Sequence, residues 1–177
     1  MSAPTLSAAD QALLALHEPP ADAAGRERWV LRVQCGVQDP ASWLSANDRS
    51  RGWQRRQRIT LAWRSAGTWA WRQQLRDVRL QRAHIVAVLH HGLGPRRDPA
   101  NSAPTVKALV DGLVDAGRGL LPDDDDRHLL GPDLRLGEST RWAKQVHTYP
   151  PPMAAVTLLI TDLGDALPPR LSARRPR

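Results

Sequence analysis

The fold is decided by residues 83–114, which read AHIVAVLHHGLGPRRDPANSAPTVKALVDGLV. The first part, Ala83–Leu89, is apolar and rich in β-branched residues, which predicts a buried strand. The glycines and proline that follow predict a loop. A helix is predicted next, with Asn101 or Ser102 as its N-cap and Pro104 tolerated in its first turn. Its apolar stripe comprises Val106, Leu109, Val110, Leu113 and Val114, and its predicted end is at Gly117 and Gly119.

Other segments have the patterns of strands. Trp29–Val37 alternates in a way that places Val30 and Arg32 on one face. A last strand is predicted at Met153–Thr161. The segments Leu129–Arg135 and Arg141–Thr148 predict an extended pair.

A long helix is predicted from Trp43 to about Val78, because apolar residues recur there at steps of three and four while arginines fill the other positions. The apolar positions are Ile59, Ala62, Trp63, Ala66 and Ala70. Gly67 and Thr68 weaken the middle of this helix, so either a kink or two shorter helices would fit the pattern. The elements together predict an α/β or α+β fold, in which a small mixed β-sheet packs against two main helices.

The 177 residues fit one domain of ordinary size. We expect residues 27–166 to be its folded body. Residues 1–26 are predicted to be a flexible N-terminal extension, in which Ala8–Leu16 could form a short helix before Pro19 and Pro20 stop it. Residues 167–177, with several arginines and little to bury, predict a disordered basic tail.

The composition favours a protein outside the membrane. Apolar residues make up 41% of the chain, and no apolar run approaches the roughly 20 residues that a membrane-spanning helix needs. Residues 1–25 lack a basic leader followed by an apolar core, so no secretory signal is predicted. We therefore expect a soluble, cytoplasmic protein. Cys35 is the only cysteine, which excludes an intrachain disulfide and predicts a buried thiol.

The charge balance points to nucleic acid as the first partner to consider. The formal net charge is +7, and of the 25 basic residues only Lys107 and Lys144 are lysines. Guanidinium groups match phosphate oxygens in a bidentate way. A GC-rich genome also raises arginine content, so the placement of the charge carries more weight than the total.

The basic residues are concentrated between Arg49 and Arg82, where Asp77 is the one acidic residue. Four tryptophans lie among these arginines: Trp53, Trp63, Trp69 and Trp71. Cationic side chains beside aromatic ones can bind backbone phosphates and stack on unpaired bases. We expect Trp63 to be a core anchor and the arginine surface to bind DNA in a salt-sensitive way.

Acidic residues flank the predicted helix of the opening segment. Asp98 lies in the loop before it, where open α/β sheets commonly place ligands, and Asp123–Asp126 follow it. Clustered carboxylates repel one another unless water or a hard cation such as Mg²⁺ balances them. The alternative is that these aspartates cap helices and solvate turns. For Lys107 and Asp111, one turn apart, the plain alternative is a solvated helix face.

The histidines do not predict a zinc centre, because no His-Glu-x-x-His spacing is present. They are His84, His90, His91, His128 and His147, besides His17 near the N-terminus. We expect His84, His90, His91, His128 and His147 to be surface or capping residues.

Several motifs resemble one family. They are Arg97-Asp98-Pro99-Ala100-Asn101, Lys107 to Leu113, Ala116-Gly117, Pro122 to Asp125 and, upstream, Leu44 to Arg49. In order and spacing they resemble the RusA-like Holliday junction resolvases, particularly those carried by phages and prophages of actinobacteria. The resemblance spans about Trp43 to Leu163 and is densest from Arg96 to Gly137.

The resemblance implies a homodimeric, Mg²⁺-dependent endonuclease that cuts branched DNA in recombination and repair. By position, Asp98 matches the first family aspartate, Asp124 the last, and Lys107 the assisting lysine, while Asp111 matches an acidic position on the same helix. The family pattern is Asp-x-Asp-Asn, and its second aspartate is Ala100 in this chain. The segment between Asn101 and Lys107 is also longer than is usual in the family.

The resemblance, together with the pattern of basic residues, implies a specific set of expected roles. The catalytic residues are Asp98, Lys107 and Asp124. The ligands of Mg²⁺, or of Mn²⁺ in its place, are Asp98, Asp123, Asp124 and Asn101. The DNA contacts are Asn47, Arg49, Arg55, Arg56, Arg58, Arg96, Arg97 and Arg135. Two alternatives stay open: a branched-DNA-binding protein of the same fold that has lost cleavage because of Ala100, and an accessory interaction protein whose arginines reflect genome composition.

Overall fold

The computed structural model describes residues 7–35, 43–47, 52–92, 98–114, 119–139 and 154–165. These contain three helices, four strands and two short 3₁₀ turns. The helices are α1 Ala8–Ala15, α2 Trp53–Gln74 and α3 Ala103–Asp111, the strands are β1 Arg28–Gln34, β2 Ala83–His91, β3 Leu129–Leu136 and β4 Ala154–Asp162, and the 3₁₀ turns are Ala21–Ala23 and Pro99–Ser102. None of the helices in these ranges is long and apolar enough to cross a membrane.

The strands form one sheet in the order β1, β4, β2, β3. β4 runs antiparallel to both β1 and β2, whereas β2 and β3 are parallel. Every residue of β2 except His91, and every residue of β4 except Asp162, is buried. Central strands that are covered on both faces have this apolar character throughout. The predicted small mixed sheet of an α+β fold is confirmed.

The larger part of the core lies between the sheet and helices α2 and α3. The sheet contributes alternate residues of its strands, among them Leu31, Val33, Ile85, Leu89, Leu158 and Ile160. Trp63 of α2 is fully buried among them, which confirms its prediction as a core anchor. Cys35 is also buried in this core, as predicted.

The opposite face of the sheet is covered by α1. Leu13 and Leu14 of α1 pack against Val30, Val86, Val88 and Leu159. Ser7 and Asp10 form a reciprocal capping box at the start of this helix. Arg32 of β1 makes an ion pair with Asp10, and the Arg28 guanidinium donates to the Leu14 carbonyl oxygen at 3.0 Å.

The short helix predicted in Ala8–Leu16 is therefore confirmed, but its setting differs from the prediction. The prediction for residues 1–26 is a flexible extension, whereas helix α1 within it packs against the sheet. The reason is that Val30, Val86 and Leu159 leave an apolar surface that needs a partner, and Leu13 and Leu14 supply it. Residues 1–6 and the predicted tail, 167–177, lie outside the described residues.

Helix α2 begins at Trp53 and not at the predicted Trp43. The backbone N–H of Leu44 donates to Thr105 Oγ1 at 2.7 Å, and the Thr105 hydroxyl donates to the Leu44 carbonyl oxygen at 3.1 Å. Both backbone polar groups of Leu44 are thus hydrogen-bonded to Thr105 of α3. Trp43 packs on Trp63 with ring centroids 5.5 Å apart. These contacts hold residues 43–47 outside any helix.

Helix α2 is continuous through Gly67, and this glycine allows close packing against α3. A Cβ at Gly67 would lie 2.5 Å from the Leu109 carbonyl oxygen, and a Cβ at Gly112 would lie 2.1 Å from the Arg64 carbonyl oxygen. The Thr68 hydroxyl donates to the Gly112 carbonyl oxygen at 2.7 Å. The two helices therefore approach backbone to backbone, which only glycine permits at such a distance.

Helix α3 is shorter than predicted. It begins at Ala103 after the Pro99–Ser102 turn; Ser102 occupies the predicted N-cap position without a capping side-chain bond. It ends at Asp111, where Gly112 donates to the Leu109 carbonyl oxygen at 3.0 Å, and not near Gly117. Strand β3 confirms the prediction for Leu129–Arg135, and the predicted partner Arg141–Thr148 lies outside the described residues.

Candidate functional site

Three charged side chains meet at the solvent side of α3. Since Val106, Leu109 and Val110 are buried against the core, Lys107 and Asp111 project from the opposite side, one turn apart. The Lys107 ammonium donates to Asp111 Oδ1 at 2.5 Å and also to Asp124 Oδ2. Asp124 comes from the turn before β3, so two separate chain segments supply carboxylates to one cation.

The opposite charges in this cluster stabilise each other's ionised forms. The hydrogen bond from Lys107 lowers the pKa of Asp124 below its ordinary value, against the opposing effect of partial burial. Partial burial lowers the pKa of Lys107, but its hydrogen bonds to Asp111 and Asp124 outweigh that effect and the net shift is upward. Asp124 is therefore anionic and Lys107 cationic throughout the physiological pH range.

The aspartates beside Asp124 shape the turn that presents it. Asp123 Oδ1 accepts the backbone N–H of Asp124 at 2.8 Å. Asp125 Oδ1 accepts the backbone N–H groups of Arg127 and His128, both at 3.1 Å. Aspartate side chains often close turns in this way. Asp123, a predicted metal ligand, is thus engaged with the turn through one carboxylate oxygen.

Asp98 and Asn101 belong to a second, separate arrangement. Asp98 Oδ1 accepts the backbone N–H of Ala100 at 2.9 Å and caps the 3₁₀ turn. Asn101 Oδ1 accepts from the Asn47 side-chain amide at 2.9 Å, and the Asn101 carbonyl oxygen accepts from the Ala46 N–H, also at 2.9 Å. The structure therefore joins a predicted metal ligand, Asn101, to a predicted DNA contact, Asn47.

The carboxylates that the structure brings together are Asp111 and Asp124. In the described ranges, no three His, Cys, Asp or Glu side chains are grouped closely enough to hold a metal ion. Asp98 therefore does not complete a set of three with this pair. Mg²⁺ prefers carboxylate oxygens and keeps several waters. Two carboxylates that already share one cation are thus a donor set that fits such an ion, with water as the remaining ligands.

Four of the predicted DNA contacts lie on two described elements, helix α2 and strand β3. Arg55 and Arg58 of α2 are exposed and Arg56 is half-buried, and α2 contains no acidic residue. Arg135 is exposed on β3, where its guanidinium donates to the neighbouring Leu134 carbonyl oxygen at 3.1 Å. The other predicted contacts, Arg49, Arg96 and Arg97, lie outside the described residues. The described arginines therefore present positive charge along the solvent side of α2.

Two of the tryptophans among these arginines are open to solvent. Trp53 is 71% and Trp69 is 64% exposed. An exposed aromatic ring offers a surface for stacking. Trp71, by contrast, is buried. The sequence pattern did not separate these roles, because helical spacing alone does not show which flank of α2 meets α3.

Two cavities adjoin the Lys107 cluster. One, of about 240 Å³, lies between α3 and β3, with apolar walls that include Val106, Val110 and Leu134 and with Lys107 and Asp124 among its lining residues. The other, of about 220 Å³, lies between α2 and the end of α3 and is lined by residues that include Arg64, Arg72 and Asp111. Asp111 thus connects the acidic cluster to the arginines of α2.

The expectation that the histidines are surface or capping residues is wrong for two of them. His90 is buried on β2, with Nδ1 2.9 Å from the Glu138 carbonyl oxygen and Nε2 3.0 Å from Thr157 Oγ1. Burial lowers the pKa of His90. His84 is also buried, with Nε2 3.1 Å from Asp133 Oδ2. Both side chains lie on the central strand β2, whose residues are covered on both faces of the sheet.

Comparison with known proteins assigns no family. No protein-family model matches the chain, and none of the curated proteins matches it significantly. A function for this chain is therefore inferred from the residues of the site.

Proposed function

We propose that this protein is a Mg²⁺-dependent endodeoxyribonuclease that resolves branched DNA, such as Holliday junctions, by phosphodiester hydrolysis. The observation that carries the proposal is the convergence of Asp111 and Asp124 on Lys107 at the surface of α3. Acidic groups able to hold a divalent cation, with a lysine between them, are the parts that metal-assisted phosphate chemistry needs. The motifs that resemble RusA-like resolvases support the same assignment.

The roles of the individual residues follow from their positions. Asp124 and Asp111 would hold Mg²⁺, or Mn²⁺ in its place, and Asp98 is assigned to the same site by the resemblance alone. When bound, the metal lowers the pKa of a water and polarises the scissile phosphate. Lys107, whose ammonium lies between the carboxylates of Asp111 and Asp124, would offset the negative charge that develops on the phosphate. Asp123 acts by fixing the turn that presents Asp124.

The α2 surface would position the DNA. Arg55, Arg56 and Arg58 would contact backbone phosphates without reading sequence, and Trp53 and Trp69 offer rings for bases that are unstacked near a branch point. Asp111 links this surface to the cluster through the cavity between α2 and α3. A four-way junction contains paired strands of like polarity, which a two-fold dimer can meet with paired active sites. We therefore propose a homodimer that cuts two strands.

The test is cleavage of a labelled synthetic four-way junction with Mg²⁺, with Mn²⁺ and without metal. The change Asp124→Asn should lower the cleavage rate at least about a hundredfold, because loss of even an outer contact of a metal site costs ten- to a hundredfold. Asp126→Asn removes an exposed carboxylate two residues away and should leave the rate unchanged. Equal rates for Asp124→Asn and Asp126→Asn would refute the proposal.

The change Asp98→Asn tests whether Asp98, which only the resemblance assigns to this site, is a metal ligand. If Asp98 is a ligand, this variant should also lose Mg²⁺-dependent cleavage. An unchanged rate would remove Asp98 from the site while leaving the Asp111 and Asp124 pair in place. Because Asp98→Asn keeps an oxygen that can accept the Ala100 N–H, a loss of cleavage would not come from loss of the turn.

A second candidate function is favoured by one observation: Ala100 stands where the family pattern has an aspartate. The candidate is a branched-DNA-binding protein of the same fold that does not cut. It predicts junction binding without metal and no nicking at any Mg²⁺ or Mn²⁺ concentration. The same gel experiment distinguishes the two.

A further inference from the structure

The ammonium group of Lys107 lies on the carboxylate oxygens that a metal ion at this site would need. It donates to Asp111 Oδ1 at 2.5 Å and also to Asp124 Oδ2. A hard dication binds carboxylates through the same oxygens, and an ammonium group beside it would be repelled. Lys107 and a metal ion therefore compete for the two carboxylates.

Of these three side chains, that of Lys107 has the most room to move. It is 62% exposed, whereas the side chains of Asp111 and Asp124 are 31% and 25% exposed. Asp111 is held in the last turn of α3, and Asp124 in a turn that Asp123 closes by accepting the Asp124 N–H. The lysine charge lies at the end of a flexible four-carbon stem. The ammonium can therefore leave while both carboxylates stay in place.

A displaced ammonium finds no further acidic side chain in the described lining of the two adjoining cavities. In the cavity of about 240 Å³ between α3 and β3, Asp124 is the one acidic residue of that lining. In the cavity of about 220 Å³ between α2 and the end of α3, Asp111 is the one acidic residue, and Arg64 and Arg72 add positive charge. The ammonium therefore needs an anion from outside the described chain if it is to give up both carboxylates.

We propose that Lys107 keeps the metal site closed in the free protein, and that a phosphate group of bound DNA opens the site by accepting the Lys107 ammonium. The choice of DNA as the source of the phosphate rests on the proposed function, in which Lys107 offsets charge on the scissile phosphate. Once the ammonium has moved to the phosphate, Asp111 and Asp124 are open to a metal ion. The site is thus filled chiefly when a DNA strand is already in position.

Such an exchange links the two binding events. A ligand that draws the ammonium away raises the affinity for the metal, and the metal raises the affinity for that ligand by the same factor. Lys107→Met keeps a long side chain but removes the charge, so its carboxylates are open from the start. The difference in metal affinity between the parent and Lys107→Met should therefore be present in the free protein and disappear when a phosphate is bound.

The test measures Mn²⁺ affinity by calorimetry with and without dimethyl phosphate, while sodium chloride keeps the ionic strength constant. This probe has the charged diester of a single DNA linkage and lacks the many further phosphates of DNA, which bind Mn²⁺ themselves. In the parent, dimethyl phosphate should raise the Mn²⁺ affinity about tenfold, and in Lys107→Met about twofold or less. Equal increases in the two proteins would mean that the diester acts only as a metal ligand. That result, or no increase in the parent, would overturn the proposal.

The matched control is Arg76→Gln, which removes one positive charge from an exposed side chain outside both cavity linings and should respond to dimethyl phosphate as the parent does. A second measurement observes the lysine itself. The chain has two lysines, Lys107 and Lys144, so after ¹³C labelling of the lysine ε-carbons the Lys107 signal is identified by its absence from Lys107→Met. It should shift saturably when Mg²⁺ and dimethyl phosphate are added together. An unchanged signal would mean that the ammonium stays on the carboxylates, which would also overturn the proposal.

A labelled four-way junction tests DNA as the source of the phosphate. In a gel-shift experiment, added Mg²⁺ should strengthen junction binding about tenfold more in the parent than in Lys107→Met. A linkage seen with dimethyl phosphate but not with the junction would overturn the assignment to DNA.

The role of Lys107 and the nuclease can fail separately, because none of these measurements depends on cleavage. A protein that cuts junctions, but in which dimethyl phosphate raises the Mn²⁺ affinity of the parent and of Lys107→Met equally, would keep the proposed function and reject this role of Lys107. A protein that shows the linkage and never cuts DNA would support this role and reject the nuclease.

Discussion

Two turns of this chain that contain aspartate, at Asp98 and at Asp123–Asp126, differ in what their carboxylates bind. In the first, the carboxylate of Asp98 accepts the backbone N–H of its own turn. In the second, Asp123 and Asp125 close the turn, and Asp124 reaches across to Lys107 on α3. The difference shows that an aspartate in a turn bonds to another element where that element brings a cation within reach, and otherwise caps the backbone of its own turn.

The largest effect is expected from separating the two helices that position Asp111. In Gly112→Ala, the new Cβ would lie 2.1 Å from the Arg64 carbonyl oxygen, so the end of α3 must move. We expect a loss of about 3 kcal/mol in the free energy of unfolding, measured by urea denaturation, together with loss of the proposed cleavage.

The control for this change is Gly52→Ala, since nothing lies within 4 Å of a Cβ at Gly52. Gly52 is the N-cap of α2, where alanine is less favourable than glycine, so its replacement should cost about 0.5–1 kcal/mol. Equal losses for the two variants would mean that α2 and α3 are not in close backbone contact in solution.

The second prediction concerns removal of the lysine cation that lies between Asp111 and Asp124. In Lys107→Met these carboxylates lose their counter-ion, so they should bind a divalent ion more tightly. We expect roughly a tenfold increase in Mn²⁺ affinity by calorimetry, the size of effect that one charge exerts near a partly exposed site. Arg76→Gln also removes one positive charge, and its Mn²⁺ affinity should match that of the parent. An affinity for Lys107→Met at or below the parental value would show that Lys107 does not occupy the carboxylates.

A smaller effect is expected at the other acidic turn. Asp98→Ala removes the acceptor for the Ala100 N–H and should lower the free energy of unfolding by about 1 kcal/mol, as loss of an N-cap does. Asp98→Ser supplies a hydroxyl oxygen in the same place and should restore most of the stability. Urea denaturation of both variants measures this. Unchanged stability in Asp98→Ala would mean that the carboxylate is not committed to its turn.

The smallest effect is the pH dependence of the Lys107 cluster. The folded-state pKa of Asp124 lies below its ordinary value of 3.8, so its contribution to stability is present above that value and is lost as the pH falls through the folded pKa. The folded-state pKa of Lys107 lies above 10.5, so its contribution is present below that value and is lost as the pH rises through the folded pKa.

The stability difference between the parent and Lys107→Met should therefore be flat between those limits and shrink beyond either one. Because the cluster is largely exposed, we expect a difference of about 0.2–1 kcal/mol at neutral pH. Urea denaturation across the pH range measures it. A difference that changes between pH 6 and 9 would point to some other titrating group.

The sequence patterns predicted the elements that depend on local periodicity. The strands β1, β2 and β4 and the buried role of Trp63 were predicted from the alternation and spacing of apolar residues. The start of α2 was not, because Leu44 gives its backbone hydrogen bonds to Thr105, far away in the chain. The burial of His84 and His90 was missed because the polarity of a histidine does not reveal a partner on another strand.

For the candidate site, the sequence identified Lys107, Asp111 and Asp124 but not their arrangement. Asp98 and Asp124 were expected to share a metal, and the carboxylates that converge are those of Asp111 and Asp124. An i, i+4 pair such as Lys107 and Asp111 is readable from the sequence. The third member is not, because it arrives through the turn before β3.

By itself, the sequence determined the apolar strands, the basic helix and the positions of the acidic turns, since each follows from residues that are close in the chain. The tertiary structure alone decided which carboxylate meets Lys107, which tryptophan is buried beside Arg64 and Arg72, and how closely Gly112 lets α3 approach α2. These depend on the packing of distant segments, and the physical reason is that burial and hydrogen bonding are satisfied by whichever partner the fold brings within reach.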